Sequence, residues 1–291
     1  MKGLIVKGIG GFYFVKTEQC VFRAKARGLL KRNKEILYVG DEVEAIPPKE
    51  GEDDGWISEV YTRRNVFHRP PIVNIDVLIV VMAVASPEPN PDVTDRLLVM
   101  AESKGISPVV CINKADLDRD GTVTRIKSIY DKIYPTVVTS CKDSADEGIR
   151  LLKEHIGDKK AAFAGPSGVG KSSLTNLLIP EASMEVGEVS EKTERGRHTT
   201  RHVEIFSIGE GFLFDTPGFT SFELDDVDEG DLAGYFPEIK EAATGCRFGD
   251  CSHTKEPDCN VLRALEENKI AKSRYESYIH CLEEIRSKNK F

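Results

Sequence analysis

A glycine-rich segment in the middle of the chain has the composition of a phosphate-binding loop. Residues 165–172 read Gly-Pro-Ser-Gly-Val-Gly-Lys-Ser after a short apolar strand, and the helical segment SSLTNLLI follows Lys171. Such a loop wraps phosphate oxygens with backbone N–H groups, and the helix N-terminus adds a favourable dipole. Lys171 is predicted to neutralise the β- and γ-phosphates and Ser172 to bind Mg²⁺. The predicted nucleotide contacts here are Gly165, Pro166, Ser167, Gly168, Val169, Gly170, Lys171, Ser172 and Ser173.

A second motif, Asp215-Thr-Pro-Gly218, ends the apolar strand FLF and lies 44 residues beyond Lys171. Asp215 is placed like the carboxylate that holds Mg²⁺ through water, and the N–H of Gly218 is placed to contact the γ-phosphate. Asp-x-x-Gly alone is a weak signal, because it usually marks only a turn. At this distance behind a P-loop it predicts the second part of a nucleoside triphosphate site.

A third motif, Asn113-Lys-Ala-Asp116, follows the strand VVCI and determines which nucleotide base is bound. A carboxylate at Asp116 accepts hydrogen bonds from the N1–H and amino group of guanine, whereas adenine presents an acceptor there. The aliphatic stem of Lys114 can cover the ring. After the next strand, Thr139-Ser140-Cys141 resembles the loop that supports the base. The predicted guanine contacts of GTP or GDP are Asn113, Lys114, Asp116 and Ser140.

The order of these motifs is unusual. In ordinary small GTPases the P-loop comes first, whereas here the guanine motif precedes it and the Asp215 motif comes last. The same sheet forms if the chain is cut after the Asp215 motif and the old ends are joined. Such a permutation is tolerated where the termini lie close together at the surface. The motifs therefore predict a circularly permuted α/β P-loop GTPase domain.

The switch segment is expected at Gly196-Arg-His-Thr-Thr200, between the P-loop and Asp215. A threonine hydroxyl is predicted to reach Mg²⁺ there, with Thr200 slightly favoured over Thr199. Phe219 stands after Gly218, where many GTPases carry the glutamine that positions the attacking water. His198 is the nearest substitute, although the residue types alone leave it equally open as a histidine of a basic surface loop.

A Cys₃His set lies near the C-terminus. Four potential ligands follow one another in the pattern Cys246-x₄-Cys251-x-His253-x₅-Cys259. Closed nitrogen and sulfur sets of this type hold structural zinc, and four protein ligands leave no open position for catalysis. The tight spacing argues against cysteines scattered through a core. One structural Zn²⁺ is therefore expected.

Composition restricts the class of protein. The net charge of −8 argues against simple coating of nucleic acid or acidic membrane, although basic residues cluster between Arg23 and Lys34. No apolar run approaches the length of a membrane span, and the N-terminus lacks the long apolar region of a signal peptide. Seven cysteines, three of them beside a histidine, favour a reducing compartment and a metal over disulfides. We expect a cytoplasmic protein with no membrane partner.

The elements that carry the motifs fall into three regions. Before residue 69, short apolar runs separated by Gly, Pro or charge predict a small β-barrel. Arg69-Pro-Pro71 is predicted to be a linker. From Val77 strands and helices alternate, which predicts a parallel sheet covered by helices. After Gly218 the cysteines and terminal helices follow. The predicted barrel strands are Leu4–Val6, Phe12–Val15, Cys20–Phe22, Val43–Ile46 and Trp56–Val60, and a predicted helical packing stripe is Tyr275, Ile279, Leu282 and Ile285.

Together the motifs resemble one family, the ribosome small subunit-dependent GTPase A. NKAD, GPSGVGKSS, GRHTT, DTPGF and the Cys₃His spacing stand in the order of that family, and the resemblance covers the whole chain. Arg201 departs from relatives that extend the threonine run, which leaves the switch ligand between Thr199 and Thr200. The resemblance implies a multidomain protein with an OB-fold barrel at residues 1–68, the permuted GTPase domain at 69–224 and a zinc-binding helical domain at 225–291.

The resemblance also implies an activity and partners. Members of the family bind the small (30S) ribosomal subunit and its 16S rRNA late in assembly, and the subunit stimulates GTP hydrolysis. His198 takes the catalytic role, and the protein is expected to act as a monomer. Two other functions remain open on the residues alone. One is a GTPase unrelated to the ribosome, which would not need the barrel, and the other is a GTP-gated RNA-binding module with negligible hydrolysis.

Overall fold

The structure, a computed structural model, describes residues 1–28, 30, 36–68, 70–142, 147–180, 203–215, 224 and 227–288. The chain forms two compact units. The first comprises residues 1–77, 153–163 and 175–219, and the second comprises residues 78–152, 164–174 and 220–291. Neither unit is a continuous stretch of chain, so each is assembled from segments that are far apart in sequence.

Five strands at the N-terminus close into a small barrel, and they are β1 (Lys2–Ile9), β2 (Phe12–Lys16), β3 (Val21–Ala26), β4 (Glu42–Ile46) and β5 (Gly55–Val60). They follow the order β1-β2-β3-β5-β4, and β4 returns to pair with β1. Strands β3 and β5 run parallel, while the other neighbours are antiparallel. The barrel predicted from five apolar runs is confirmed.

The barrel is filled by residues that alternate along its strands. In β4, Val43 and Ala45 are buried, and the residues on either side of them are closer to solvent. This period of two places every second side chain inside a closed sheet. The buried apolar side chains of this core are Ile5, Val15, Phe22, Ala24, Leu30, Leu37, Val43, Ala45 and Ile57.

Strands and helices alternate beyond the barrel, as predicted from Val77 onward. The strands and helices that follow, in chain order, are β6 (Val66–His68), β7 (Pro71–Val73), β8 (Val77–Ala83), α1 (Pro91–Ser103), β9 (Ser107–Asn113), α2 (Thr122–Tyr130), β10 (Thr136–Val138), α3 (Glu147–Ile156), β11 (Lys160–Ala164), α4 (Lys171–Leu178), β12 (Glu204–Ile208), β13 (Gly211–Asp215), α5 (Pro237–Ala243), α6 (Asn260–Glu266) and α7 (Lys272–Lys288).

The segment predicted as a linker at residues 69–71 belongs in part to a hairpin, so that prediction is wrong. Strands β6 and β7 pair antiparallel, with His68 opposite Pro71, and Ile72 and Val73 are buried. Proline is tolerated at Pro71 because it is the first residue of a short strand in a two-stranded pairing. Three-residue strands beside two prolines offer no apolar pattern from which a hairpin is predicted.

In the first unit, β11, β13 and β12 extend the barrel sheet. Strand β11 runs parallel to β13, β13 runs antiparallel to β12, and β12 pairs with β1 where Lys7 faces Glu204. The Lys7 ammonium donates to the Glu204 carboxylate at 2.6 Å. A second cross-strand pair joins Lys160 of β11 to Glu42 of the barrel at 2.6 Å. Asp215 is the last residue of β13, and the antiparallel pairing with β12 places it opposite Glu204.

In the second unit, β8, β9 and β10 lie side by side. All seven residues of β8 are buried, as expected of a continuous apolar run covered on both faces. Strands β9 and β10 are parallel, and their register places Ile112 opposite Val138. The carboxyl ends of both strands therefore lie at the same edge of the sheet, which brings Asn113, the last residue of β9, close to Thr139, the residue after β10.

The C-terminal helices share a core with α1 in the second unit. Tyr278, Cys281, Leu282 and Ile285 of α7 are buried there, and Tyr275 and Ile279 pack at its margin. The helical stripe predicted at this end of the chain is confirmed. Its most buried side chains include Tyr278 and Cys281, each one position before a predicted residue, Ile279 and Leu282. In the described part of the chain, no helix combines the length and apolar character needed to cross a membrane.

Candidate nucleotide site and metal centre

A buried asparagine at the end of β9 forms hydrogen bonds to two loops at the edge of the second unit's sheet. Asn113, the last residue of β9, is 1% exposed. Its Nδ2 donates to the carbonyl of Val169 in the P-loop at 2.8 Å, and its Oδ1 accepts from the Thr139 hydroxyl at 3.0 Å. One amide thus fixes the end of β9, the P-loop and the loop after β10, which are separate in sequence.

Asp116 lies at the surface beside this buried amide. Its Oδ1 accepts from the Ser140 hydroxyl at 2.8 Å, and its Oδ2 pairs with the Lys142 ammonium at 2.7 Å. The Lys142 contact and the Ser140 hydrogen bond lower the pKa of Asp116. An ionised carboxylate is what the N1–H and amino group of guanine require. Ser140 and Asp116 were predicted together, whereas Lys142 was missed because a lysine two residues after Ser140 carries no distinct signal.

Lys114 adopts a left-handed backbone with φ of 60° and donates its ammonium to the carbonyl of Ser86. This side chain therefore runs from the Asn113–Asp116 loop towards the loop after β8. The aliphatic stem is held by a contact at its far end, which suits a stem predicted to cover one face of a planar base.

The P-loop departs from β11 and enters α4, as its sequence predicts. Gly165 has φ of +143° and Gly170 φ of +101°. A Cβ at Gly165 would collide with the carbonyl of Val81, and one at Gly170 with the Asn113 side chain. Both glycines are required by close approach as well as by conformation. Ser167 and Gly168 are exposed at the tip of the loop, and Ser172 and Ser173 lie in the first turn of α4.

Lys171 curls back over its own loop. Its ammonium donates to the carbonyls of Gly165 at 2.6 Å and Pro166 at 2.7 Å. Burial lowers the pKa of Lys171 to about 8. Neighbouring phosphates would favour the charged form, so this lysine is placed to respond to an anion.

Asp215 ends β13 in the first unit. Its Oδ1 is buried and has no hydrogen-bond partner among the described residues. Burial, and next the carboxylate of Glu204, raise the pKa of Asp215. An unpartnered buried carboxylate oxygen is costly unless a cation or water satisfies it. This environment fits the predicted Mg²⁺ role of Asp215. The other predicted residues of this part, His198, Thr199, Thr200 and Gly218, lie outside the described residues.

The four predicted metal ligands converge. The ligand atoms of Cys246, Cys251, His253 and Cys259 all lie within 4.8 Å of one another. Cys246 Sγ is 3.9 Å from Cys259 Sγ, and both sulfurs are 3.6 Å from His253 Nδ1. A tetrahedral zinc with Zn–S of about 2.3 Å and Zn–N of about 2.0 Å separates its ligands by about 3.8 and 3.5 Å. These four residues form a closed site with the dimensions of structural zinc.

The protonation state of the cluster also suits a metal. Burial, followed by the neighbouring thiols, raises the pKa of Cys251 to about 12. Burial lowers the pKa of His253, which keeps its imidazole neutral. Against the effect of burial, the backbone N–H groups of Asn260 and Val261 lower the pKa of Cys246. Zinc binds cysteine as the thiolate, so at Cys251 a bound Zn²⁺ would supply the charge that compensates loss of the proton.

A second set of side chains holds the metal loop in place. The Glu256 carboxylate accepts from the backbone N–H groups of Ser252 and Thr254, both at 2.9 Å. From α7, Tyr278 donates to the carbonyl of Ser252 at 2.9 Å, and Tyr275 to that of His253 at 2.8 Å. Sequence reasoning missed these three residues. The tyrosines belong to a helix whose pattern predicts only packing.

Comparison with known proteins adds the family. A model described as RsgA GTPase matches residues 60–225, and one described as RsgA N-terminal domain matches residues 2–57. The chain is 40% identical to the small ribosomal subunit biogenesis GTPase RsgA of Alkaliphilus metalliredigens over 100% of this chain and 99% of the relative. It is 44% identical to the protein of that name from Caldanaerobacter subterraneus, over 100% and 97% of the two chains.

Two solved structures share the fold. The crystal structure of YjeQ from Thermotoga maritima has a TM-score of 0.85 at 34% identity, with 98% of each chain covered. The structure of YloQ, described as a circularly permuted GTPase, has a TM-score of 0.84 at 34% identity, with 99% of this chain and 95% of the other covered. The predicted fold class is confirmed: an N-terminal barrel, a circularly permuted GTPase domain and a Cys₃His metal site near the C-terminus.

Proposed function

The chain belongs to the RsgA GTPase family, and from this premise we propose that it is a GTPase of small ribosomal subunit biogenesis that hydrolyses GTP to GDP and phosphate. The observation that carries the proposal is the guanine-reading edge of the second unit. There Asp116 is kept ionised at the surface, and Asn113 joins its loop to the P-loop. Such an arrangement selects guanine and fixes it relative to the phosphates.

Each predicted contact takes a role in this reaction. Asp116 and Ser140 hold the base, Lys114 covers it, and the loop at residues 165–173 surrounds the phosphates. Ser172 would bind Mg²⁺ directly and Asp215 would hold it through water, a role supported by the unpartnered oxygen of Asp215. When bound, Mg²⁺ neutralises charge on the β- and γ-phosphate oxygens. Lys171 exchanges the carbonyls of Gly165 and Pro166 for phosphate oxygens and becomes fully charged.

His198 takes the place of the missing glutamine and positions the attacking water, and Thr199 or Thr200 completes the Mg²⁺ site. The support is their position in the sequence between the P-loop and Asp215, together with Phe219 after the Asp215 motif. A His198→Ala variant should bind GTP as tightly as the parent and turn it over far more slowly. Parental turnover in that variant would remove His198 from the reaction.

The partner is the small (30S) subunit, and the barrel contacts its 16S rRNA. OB-type barrels bind oligonucleotides on one face, and basic residues cluster between Arg23 and Lys34. In the described part of this stretch, Arg23 and Lys25 both pair with Asp54. A phosphate that binds there replaces the Asp54 carboxylate as the partner of Arg23 and Lys25, and this exchange favours a reversible contact. The family matches at 2–57 and 60–225 support a barrel region followed by a GTPase region. The domain bounds 1–68, 69–224 and 225–291 are proposed from the sequence. The protein acts as a monomer in the cytoplasm.

The decisive experiment is GTP turnover with and without purified small subunits. We expect turnover that small subunits stimulate and that large subunits leave unchanged. A Lys171→Ala variant, which lacks the phosphate-binding ammonium, serves as the inactive control. Turnover that is identical with and without small subunits would reject stimulation. GTP-dependent subunit binding with no turnover at all would favour a nucleotide-gated RNA-binding module.

A further inference from the structure

A buried ion network joins the C-terminal helices to the nucleotide-binding part of the second unit. Arg274 of α7 is 0% exposed. Its guanidinium donates to both oxygens of Glu238 on α5, at 2.6 and 3.1 Å. A third nitrogen donates to Asp95 Oδ1 on α1 at 2.8 Å. One side chain therefore connects three helices through charged hydrogen bonds.

The network continues into α2. The Tyr130 hydroxyl donates to the same oxygen, Asp95 Oδ1, at 2.8 Å. Three aromatic rings surround the guanidinium carbon of Arg274, that of Phe236 at 4.7 Å and those of Tyr134 and Tyr130 at 5.7 and 5.9 Å. The charges are consequently shielded from water and sensitive to small displacements, since geometry decides whether a buried pair offsets its desolvation.

Helix α2 lies between the two loops that receive guanine. It begins at Thr122, whose N–H is capped by Asp118 two residues after Asp116, at 2.9 Å. It ends at Tyr130, and β10 then leads to Thr139 and Ser140. A shift of Tyr130 therefore displaces the element from which both loops emerge. The route runs from Glu238 through Arg274, Asp95 and Tyr130 to the guanine-binding edge.

Stability alone is a poor explanation for this network. Replacing a buried ion triad with apolar side chains is often neutral or stabilising. The same helix carries Arg286, which pairs with Glu229 at 2.7 Å while both side chains are about two-fifths exposed. That exposed pair tolerates rearrangement, whereas the buried one defines a single geometry. The difference points to a role in holding helices at a fixed position.

We propose that Arg274 is a positioning residue that fixes the C-terminal helices relative to the guanine-binding loops, and that stimulation of turnover by small subunits depends on this fixed geometry. The inference rests on the proposed function, because it requires a subunit that stimulates turnover. Arg274 touches neither nucleotide nor metal ligand in this role. It transmits the position of α5 and α7 to α1 and α2.

The test is a triple variant, Asp95→Leu, Glu238→Met and Arg274→Met, which replaces the network with apolar side chains of similar size. We expect it to fold, to bind GTP and to hydrolyse it at the parental basal rate. Stimulation by small subunits should fall ~10-fold, within the usual range of coupling between sites. Arg286→Gln, which breaks the exposed pair on the same helix, should keep parental stimulation. Subunit affinity measured in parallel separates lost coupling from lost binding.

A second variant guards against misfolding of the triple replacement. Tyr130→Phe removes one hydroxyl from the network and keeps its packing, and it should reduce stimulation by ~5-fold, the lower end of that coupling range. If the triple variant folds and retains full stimulation, the inference is overturned and the proposed function stands. If the triple variant does not fold, full stimulation of Tyr130→Phe overturns the inference in the same way. If small subunits do not stimulate the parent, both fail.

Discussion

The metal centre and the guanine-binding edge are built on opposite principles. All four metal ligands come from residues 246–259, and their atoms already lie within 4.8 Å of one another. The guanine edge draws Asn113 from the end of β9 and Ser140 and Val169 from two loops, which only the sheet brings together. The first site is encoded by local spacing, and the second depends on a correctly formed parallel sheet.

The two sites also differ in what holds them. Sulfurs dominate the metal centre, where burial and then the neighbouring thiols raise the pKa of Cys251 and disfavour its thiolate in the absence of a cation. At the guanine edge, neutral hydrogen bonds to a buried amide fix the loops, and the charged residue Asp116 lies at the surface. The metal centre should therefore need its ligand in order to fold, whereas the guanine edge should be formed before its ligand arrives.

The largest effect is expected from removing one metal ligand. Cys251→Ala should abolish stoichiometric zinc and unfold the C-terminal helices, because zinc contributes about 10–16 kcal/mol to folding in small zinc domains. Nucleotide affinity should remain. Metal content, helical signal and GTP binding are to be measured together. Cys20→Ala, at an exposed cysteine, is the matched control. Zinc retained at one equivalent in Cys251→Ala would contradict the ligand set.

The next effect concerns base selection at Asp116. Asp116→Asn replaces an acceptor with a donor and should lower GTP affinity by ~100-fold or more, because hydrogen bonds to charged groups contribute about 1.5–3 kcal/mol each. Affinity for xanthosine triphosphate should rise instead. Asp120→Asn, at an exposed carboxylate of the same loop, should change neither. Unchanged GTP affinity in Asp116→Asn would reject this residue as the guanine reader.

A smaller effect is expected at Asn113, which holds the loops in place, than at Asp116, which contacts the base. Asn113→Ala leaves buried groups unpaired and should cost about 1–3 kcal/mol of unfolding free energy. Asn65 is a matched control, since it is also a buried amide and bonds both the carbonyl and N–H of Ile75, at 2.8 and 2.9 Å. Asn65→Ala should lose similar stability, but only Asn113→Ala should also lose GTP affinity, by ~10-fold. Equal GTP affinity in the two variants would show that Asn113 has no special role in assembling the site.

This contrast also explains what the sequence predicts well. Motifs whose residues lie close together, such as residues 165–172 and the Cys₃His set, specify chemistry by spacing alone. The alternating strands of the barrel are predicted by their period of two. The antiparallel pairing of Val66–His68 with Pro71–Val73 was missed because prolines and three-residue strands conceal the pattern.

Side chains that act across the fold escape sequence reasoning altogether. Arg274 appears in sequence as one of several charges on a terminal helix, yet it is fully buried against Asp95, 179 positions earlier. Lys142 and Tyr130 are equally ordinary in sequence. Their roles depend on which elements the sheet and helices bring together. No local pattern encodes that information.

The smallest expected effect is a pH dependence that only the nucleotide site should show. Burial lowers the pKa of Lys171 to about 8 from its usual 10.5. Between these two values the unfolded chain binds more protons, so this group makes stability without nucleotide rise with pH from about 8. Bound phosphates raise the same pKa, and binding then takes up a proton. The contribution to GTP affinity therefore has the opposite sign and falls as pH rises above about 8.

Titration of GTP affinity between pH 7.5 and 9 tests this directly. Affinity should be flat below pH 8 and fall by less than tenfold up to pH 9, since one proton contributes at most a factor of ten per unit. The phosphates themselves do not contribute, because their last protons dissociate near pH 6. Lys171→Arg carries a guanidinium that does not titrate here, so it measures any pH dependence that does not come from Lys171, such as loss of the guanine N1 proton at the alkaline end of the range. A parental affinity that stays constant to pH 9 would mean that Lys171 is charged before the nucleotide binds. The P-loop would then have its charge in place before its ligand arrives, just as the guanine edge has its hydrogen bonds.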